Sequence, residues 1–322
     1  VSSAVATQET VAPAVEEKDK PPKEPRGFNT FEFALMAPTL ALLALLSLVP
    51  FFTLIAMSFS DVRTLGRIRL EFTGLENWVD VFTNPAFWAS WGRSLIYFTS
   101  IIVLEMVLGF AFAVVLNNLI RGRSLLLSVV LLPMFLAPVM VGLLARFLLD
   151  STIGLYAKML AGVGFDTDVF ANPSTAMPAV ILIDVWEWTP LVALIMLAGL
   201  TSVPPSTLEA AAVDGAGFFR SLFNIVIPQM KAVILVALLV RSMDAIRYFD
   251  VITATTNGGP ADATKIIPIR LYEMAFRFNN QIGQAAVVGL SMLVFSIALA
   301  NVFLRFFGDR EVARAHVAGG DH

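Results

Sequence analysis

The chain has 322 residues, 57% of them hydrophobic and 15% charged, with a net charge of −3 and a mean hydropathy of +0.77. Ordinary soluble domains carry roughly 45–50% apolar and about 25% charged residues, so this is the composition of a polytopic membrane protein. It excludes a basic nucleic-acid-binding surface, and the absence of cysteine excludes disulfides and thiolate metal sites.

Residues 1–29 are polar, mix acids with bases and contain Pro21-Pro22, so they are expected to be a disordered tail. A cleaved signal peptide places its short apolar region near the start. Here a span-length run follows a long polar leader, and residues 33–59 are read as a retained first span. Apolar runs of bilayer length recur at 95–116, 125–149, 176–200, 232–253 and 285–307, giving six spans. Each is expected to be helical, because lipid offers no partner to a free backbone amide. The only histidines, His316 and His322, lie in the last few residues, outside every span, so an intramembrane histidine metal site is not expected.

Segment 61–92 has too many turn and charged residues to cross a bilayer. It reads as an external loop with an interfacial helix, Trp78 and Trp88 lying at headgroup level. The third span contains Pro133 and Pro138 and the fourth Pro190, and each is expected to kink its helix. More lysine and arginine collect on the face that holds both tails, Arg121, Arg123, Arg220 and Lys231 than on the other. That bias favours cytoplasmic termini and makes 201–231 a cytoplasmic segment.

Acids inside spans are costly and face a cavity or a partner. The fourth span carries Asp184, Trp186, Glu187, Trp188 and Thr189. Carboxylates that accept paired hydroxyls, beside aromatic faces that pack on a sugar ring, suit a polyol; equally, Asp184 or Glu187 can pair with a base such as Arg146. In the fifth span Arg241, Asp244, Arg247 and Asp250 fall every third residue with alternating sign, beside Tyr248. They read either as a self-neutralising ladder or as the wall of a hydrophilic path. Glu105 is a lone acid in the second span and is expected to be paired.

Segment 201–231 is a polar island between spans four and five. Ser206 and Glu209 fit a helix capping box, the alanine run favours helix, and Gly215 can end it with a left-handed residue. Pro228 marks the start of the next apolar run. The pattern predicts two short helices joined at a glycine, a handle held between spans. No phosphate-binding loop, zinc-protease motif or nucleophile elbow is present, so no catalytic residue and no metal site is assigned.

Glu209-Ala210-Ala211, Asp214-Gly215-Ala216, Phe219, Ile225 and Ile227-Pro228 resemble the EAA loop of importer-type ABC permeases. Phe72-x-Gly74-Leu75-x-Asn77, Leu132-Pro133, Val185-Trp186 and Asn257-Gly258-Gly259-Pro260 are similar to the carbohydrate-uptake branch, the maltose-type membrane subunits. The resemblance runs from about residue 31 to the end and implies an all-α type I ABC importer permease fold of six transmembrane helices, with a cytoplasmic EAA coupling helix between spans four and five. On that reading 1–29 is a cytoplasmic tail, 30–310 the permease domain with its coupling loop at 201–231, and 311–322 a cytoplasmic tail.

The partners so implied are a second permease in a heterodimer, two copies of a cytoplasmic ABC ATPase, and an extracytoplasmic solute-binding protein. The resemblance makes this chain a non-catalytic subunit without a cofactor, ATP and Mg belonging to the ATPases. Glu209, Ala210, Ala211, Asp214, Gly215, Ala216, Phe219 and Pro228 would form the ATPase contact, although Glu209 can also serve only as the cap partner of Ser206. The solute path would involve Met134, Pro138, Glu187, Trp188, Thr189, Asp244, Arg247 and Tyr248. Where the maltose subunit has small or amide residues this chain has Glu187, Trp188, Arg247 and Tyr248, so the expectation is a carbohydrate or polyol of unspecified identity. The rival is a self-sufficient ion- or proton-coupled transporter with Asp184, Glu187 and Asp244 as coupling carboxylates.

Overall fold

The computed structural model describes residues 30–63, 69–119, 121–164, 168–277 and 281–307. The two expected tails, 1–29 and 311–322, lie outside the described residues. Contacts divide the chain into two units, 1–52 and 53–322. Helix α1 (Thr30–Ser58), which carries Pro38 and Pro50, supplies the described part of the first unit and the start of the second.

After α1 the chain makes a small antiparallel hairpin, β1 (Ser60–Arg63) and β2 (Arg69–Phe72), with Ser60 opposite Phe72. Four-residue strands carry too little alternation to register in a sequence, where this stretch reads as the start of the external loop. Asn77 closes the base by donating through Nδ2 to the carbonyls of Ser58 at 3.2 Å and Ser60 at 2.9 Å. Asn77 lies in the next helix, α2 (Glu76–Thr83). The turn before α2 needs a left-handed residue, and Gly74 supplies it at φ +63°.

Helix α3 (Pro85–Asn118) begins ten residues before the predicted span at 95. Proline at its first position costs no hydrogen bond, and the Asn84 side chain accepts from the Ala86 amide at 2.9 Å. Trp88 is therefore part of this helix rather than of a loop, its Nε1 donating to the Phe82 carbonyl at 2.9 Å.

The predicted third span is not one kinked helix. It is split into α4 (Arg123–Leu131), a 3-10 turn at Pro133–Phe135, and α5 (Pro138–Leu148). Each proline lacks an amide proton, and Pro138 holds Ala137 extended at ψ 134°, so the helical ladder stops and restarts. After α6 (Leu155–Gly162), helix α7 (Pro173–Ser202) matches its prediction and continues through Pro178 and Pro190.

The handle follows as α8 (Pro205–Val213) and α9 (Phe218–Ser221), the latter running through a π-helical stretch, 222–226, into α10 (Ile227–Gln229). The chain then bends by 70° into α11 (Lys231–Ala245) and α12 (Asp250–Thr255). The predicted fifth span is thus interrupted between Ala245 and Asp250. Helix α13 (Ile267–Tyr272) runs into a π-turn at Glu273–Arg277, and α14 (Ile282–Phe307) is the last element described.

Among the described residues four helices, α1, α3, α7 and α14, are long and apolar enough to cross a bilayer. Counting the bent pair 218–229 and 231–255 as one span makes five.

The bundle closes on small residues, as expected where apolar side chains gain little from leaving lipid. A Cβ at Gly109 of α3 would stand 2.7 Å from Val192 Cγ1 of α7, and one at Gly142 of α5 2.6 Å from Ala254 of α12. At Gly199 it would stand 2.7 Å from Met230 Cε. Around these contacts, α3, α7, α11 and α12 bury Ile101, Val180, Val185, Leu238 and Ile252 in one cluster. Ala113, Met196 and Met230 belong to a second.

Candidate functional site

The handle is built by its backbone rather than by the expected capping box. Helix α8 starts at Pro205, with Pro204 as an extended N-cap and no side-chain cap bond, so Ser206 already lies inside the first turn. Proline at the first helical position presets φ, and the N-cap lies at Pro204, two residues before Ser206. At the other end Gly215 is left-handed at φ +74°. The amides of Gly215 and Ala216 reach the carbonyls of Ala212 at 3.1 Å and Ala211 at 2.9 Å. This is a Schellman closure, which fixes the direction in which the chain leaves α8.

Glu209, Ala210, Asp214 and Gly215 are exposed, whereas Ala211 is buried and Ala216 half-buried. Val213 is 88% exposed and Phe219 72%, and Phe218 and Phe223 are exposed beside them. Pro228 is exposed at the end of the same rod, just before the bend. Exposed apolar side chains on the same short segment as the exposed Glu209, Asp214 and Arg220, a segment too polar to lie in lipid, have the chemistry of a protein contact.

The second set of polar residues lies inside the bundle. Arg241 of α11 is 1% exposed and is surrounded by carboxylates. Its Nε donates to Glu105 Oε2 at 2.6 Å and an Nη to Glu105 Oε1 at 2.9 Å. It also bonds Asp184, and reaches Asp244 Oδ2 at 3.3 Å. The Tyr97 hydroxyl donates to the other Asp184 oxygen at 2.5 Å. The guanidinium carbon lies 5.3 Å from the Trp188 ring centre and 6.0 Å from that of Tyr248. Tyr248 in turn donates to Glu187 Oε2 at 2.5 Å. Asp244 extends the network outward to Arg247 at 3.8 Å, a side chain that is 74% exposed.

Five of the expected path residues, Glu187, Trp188, Asp244, Arg247 and Tyr248, are thus brought into one connected group. Thr189 is buried two residues after Glu187, its hydroxyl without a partner among the described residues, as are Glu187 Oε1 and Trp188 Nε1. Met134 and Pro138 are half-buried at the break between α4 and α5 and take no part in the polar group.

The structure corrects the charge reading. Asp184 pairs with Arg241 and not with Arg146. The ladder holds as far as Arg241, Asp244 and Arg247, but Asp250 begins a new helix beyond the break and does not extend it. Glu105 is paired as expected. From the sequence, Arg241 reads only as one member of the charge ladder and Glu105 as a lone paired acid, and Tyr97 is not singled out. Arg241 and Glu105 carry a signal as intramembrane charges and Tyr97 carries none, and contacts 57, 87 and 136 residues away in sequence leave no local trace.

The Asn257-Gly258-Gly259-Pro260 segment forms a tight turn at the far end of α12 from the handle. Asn257 and Gly258 have positive φ, and the Thr264 hydroxyl donates to the Gly259 carbonyl at 2.8 Å. Lys265 Nζ bridges Asp262 at 2.6 Å and Glu273 at 3.2 Å. Burial opposes its charge, but the bonds to these carboxylates outweigh it and hold the ammonium above its ordinary range.

Residues 28–312 match the family model described as a binding-protein-dependent transport system inner membrane component. The chain belongs to this family. It is a multi-pass inner-membrane permease subunit of a transporter that works with a solute-binding protein. The permease is 33% identical to the trehalose/maltose transport system permease protein MalF of Thermococcus litoralis, over 71% of this chain and 77% of that one. It is 31% identical to the sn-glycerol-3-phosphate transport system permease protein UgpA of Yersinia pestis, over 85% of this chain and 92% of that one. Its fold is that of a chain in the bacterial alginate ABC transporter, solved in complex with an alginate pentasaccharide-bound periplasmic protein. The TM-score is 0.75 at 19% identity, over 88% of this chain and 94% of that one.

Proposed function

We propose that this permease is one half of a heterodimer that imports a sugar, glycoside or sugar alcohol handed over by its solute-binding protein. Two copies of a cytoplasmic ABC ATPase power it. ATP and Mg are used by those subunits, and this chain supplies neither a catalytic group nor a cofactor site. Both termini and the handle face the cytoplasm, with six crossings in which α4 and α5 together make the third.

The observation that carries this reading is the handle. Its exposed aromatic and acidic face is held by a Schellman turn and joined through one bend to the helix bearing Arg241, Asp244 and the approach to Tyr248. Glu209, Ala210, Ala211, Asp214, Gly215, Ala216 and Phe219 form the ATPase contact, and Pro228 stiffens the end of the lever. Movement of the handle tilts α11, and the bundle alternates between faces. Glu187, Trp188, Thr189, Asp244, Arg247 and Tyr248, together with Met134 and Pro138, line the solute path. The sugar class is supported by the trehalose/maltose relative and by the aromatic and carboxylate chemistry of that wall.

Proteoliposomes holding both permeases and the ATPases, with binding protein loaded with trehalose or maltose outside and ATP inside, are expected to accumulate sugar only when every component is present. Uptake by the permease pair alone, driven by a sodium or proton gradient without nucleotide, would contradict the proposal. The network speaks against that rival, since Asp184 is already held by Arg241 and Tyr97.

A further inference from the structure

We propose that Arg241 is the positioning residue of the solute path: one buried guanidinium fixes α11 against α3 and α7 and sets the places of Asp244, Tyr248 and Trp188. The inference rests on the path assignment above and adds to it a residue that does not itself face the solute.

A guanidinium presents five donors in a rigid plane and does not lose its proton, so one arginine can satisfy several carboxylates at fixed angles. Arg241 does so here. It takes Glu105 of α3 with two bonds, Asp184 of α7 with another, and Asp244 one turn along its own helix with a fourth. The first two partners are completely buried, while the Asp244 side chain is 39% exposed. The same cation therefore has one side locked into the bundle and one side holding a carboxylate that reaches the surface. Its flat faces are used as well, lying near the Trp188 and Tyr248 rings.

Every path residue of α7, α11 and the break after α11, except Thr189, is one or two contacts from this cation. Asp244, Trp188 and Tyr248 meet it directly. Arg247 is reached through Asp244, and Glu187 through Tyr248. The regular helix ends at Ala245; the Ile246 and Arg247 amides still reach back to Ser242 at 3.2 Å and Asp244 at 3.0 Å, and the ladder stops there, one residue before Tyr248. The Tyr248 ring itself is placed by its side-chain contacts with Glu187, Trp188 and Arg241. Lysine has the charge but not the fork, and glutamine at 105 has the shape but not the charge.

The chain contains no cysteine, so single probes can be placed on the native background. Arg247→Cys reports the path surface, and Ser90→Cys, at a fully buried position of α3, reports bundle packing. Each is combined with Arg241→Lys and, separately, with Glu105→Gln in the assembled complex. Thiol-labelling rates and ATP-driven maltose uptake are then measured.

The expected result is a change of about tenfold in labelling at 247 with position 90 still protected, as for loss of a bidentate site that leaves the fold intact. Equal labelling at 247 in parent and variants would overturn the proposal. So would exposure of position 90, or loss of assembly in both variants, because the cluster would then serve folding alone. If the complex with the native sequence takes up no maltose while the probe-bearing complexes label as expected, the sugar assignment fails and the positioning role stands.

Discussion

Glu105 and Arg241 illustrate how a membrane interior changes the meaning of a charge. Removing one partner of a buried ion pair leaves the other uncompensated, at a cost of about 3–5 kcal/mol. Glu105→Leu is therefore expected to lower the yield of folded protein, and Arg241→Leu to do the same, while the double variant recovers part of it. Gel-filtration yield and thermal melting in detergent measure this, and additive losses in the double variant would argue against a coupled pair. Tyr248→Phe keeps the ring beside Trp188 but removes the bond to Glu187. It is expected to reduce uptake several-fold without affecting assembly, and unchanged transport kinetics would take Tyr248 out of the path.

At Lys265 the effect is on stability against pH. Its folded pKa is raised, so its contribution is complete below the ordinary lysine pKa and is lost as pH rises through the folded value. The bridge is partly exposed, and its worth after screening is about 1 kcal/mol or less. Lys265→Met should lower the melting temperature at neutral pH and converge with the parent only in strong alkali. A constant difference across that range would show that the bridge to Asp262 and Glu273 contributes nothing.

At the scale of helices, the glycine contacts set the spacing. A side chain at Gly109 must displace Val192, and overpacking costs roughly 1–3 kcal/mol. Gly109→Val is expected to melt lower than the parent by several degrees and Gly92→Val, which meets open space, hardly at all. Equal melting of the two would contradict the close approach of α3 and α7.

Much of the element plan was legible in the sequence. The apolar runs located α3, α7 and α14, and the left-handed Gly215 followed from its place after an alanine run. Other features were not. A proline announces a missing amide but not whether neighbours will carry the helix through it, as at Pro190, or let it break, as at Pro133 and Pro138. The capping box failed because Pro205 started the helix one residue before Ser206. The buried hub was invisible because charge pairing across helices depends on their packing, which composition and periodicity do not encode.

On the scale of the whole molecule, the polar hub and the handle are ends of one mechanical line. The handle leaves α7, where Gly199 packs on Met230, and returns through the bend to α11, where Arg241 ties back to α7. Helices α7 and α11 are thus joined both near the handle and at the proposed path. In the proposed mechanism a push on the exposed face of 205–229 moves the wall of the proposed path as a unit instead of flexing the chain between them. The exposed Val213, Phe218, Phe219 and Phe223 are the surface such a push requires.

The most direct measurement is ATP hydrolysis and sugar uptake by the reconstituted complex carrying Glu209→Arg. The account predicts a normally inserted permease whose complex has lost binding-protein-stimulated ATPase activity and uptake together. Stimulated hydrolysis and uptake at parental rates would contradict it, because the handle would then not be where this chain receives its force.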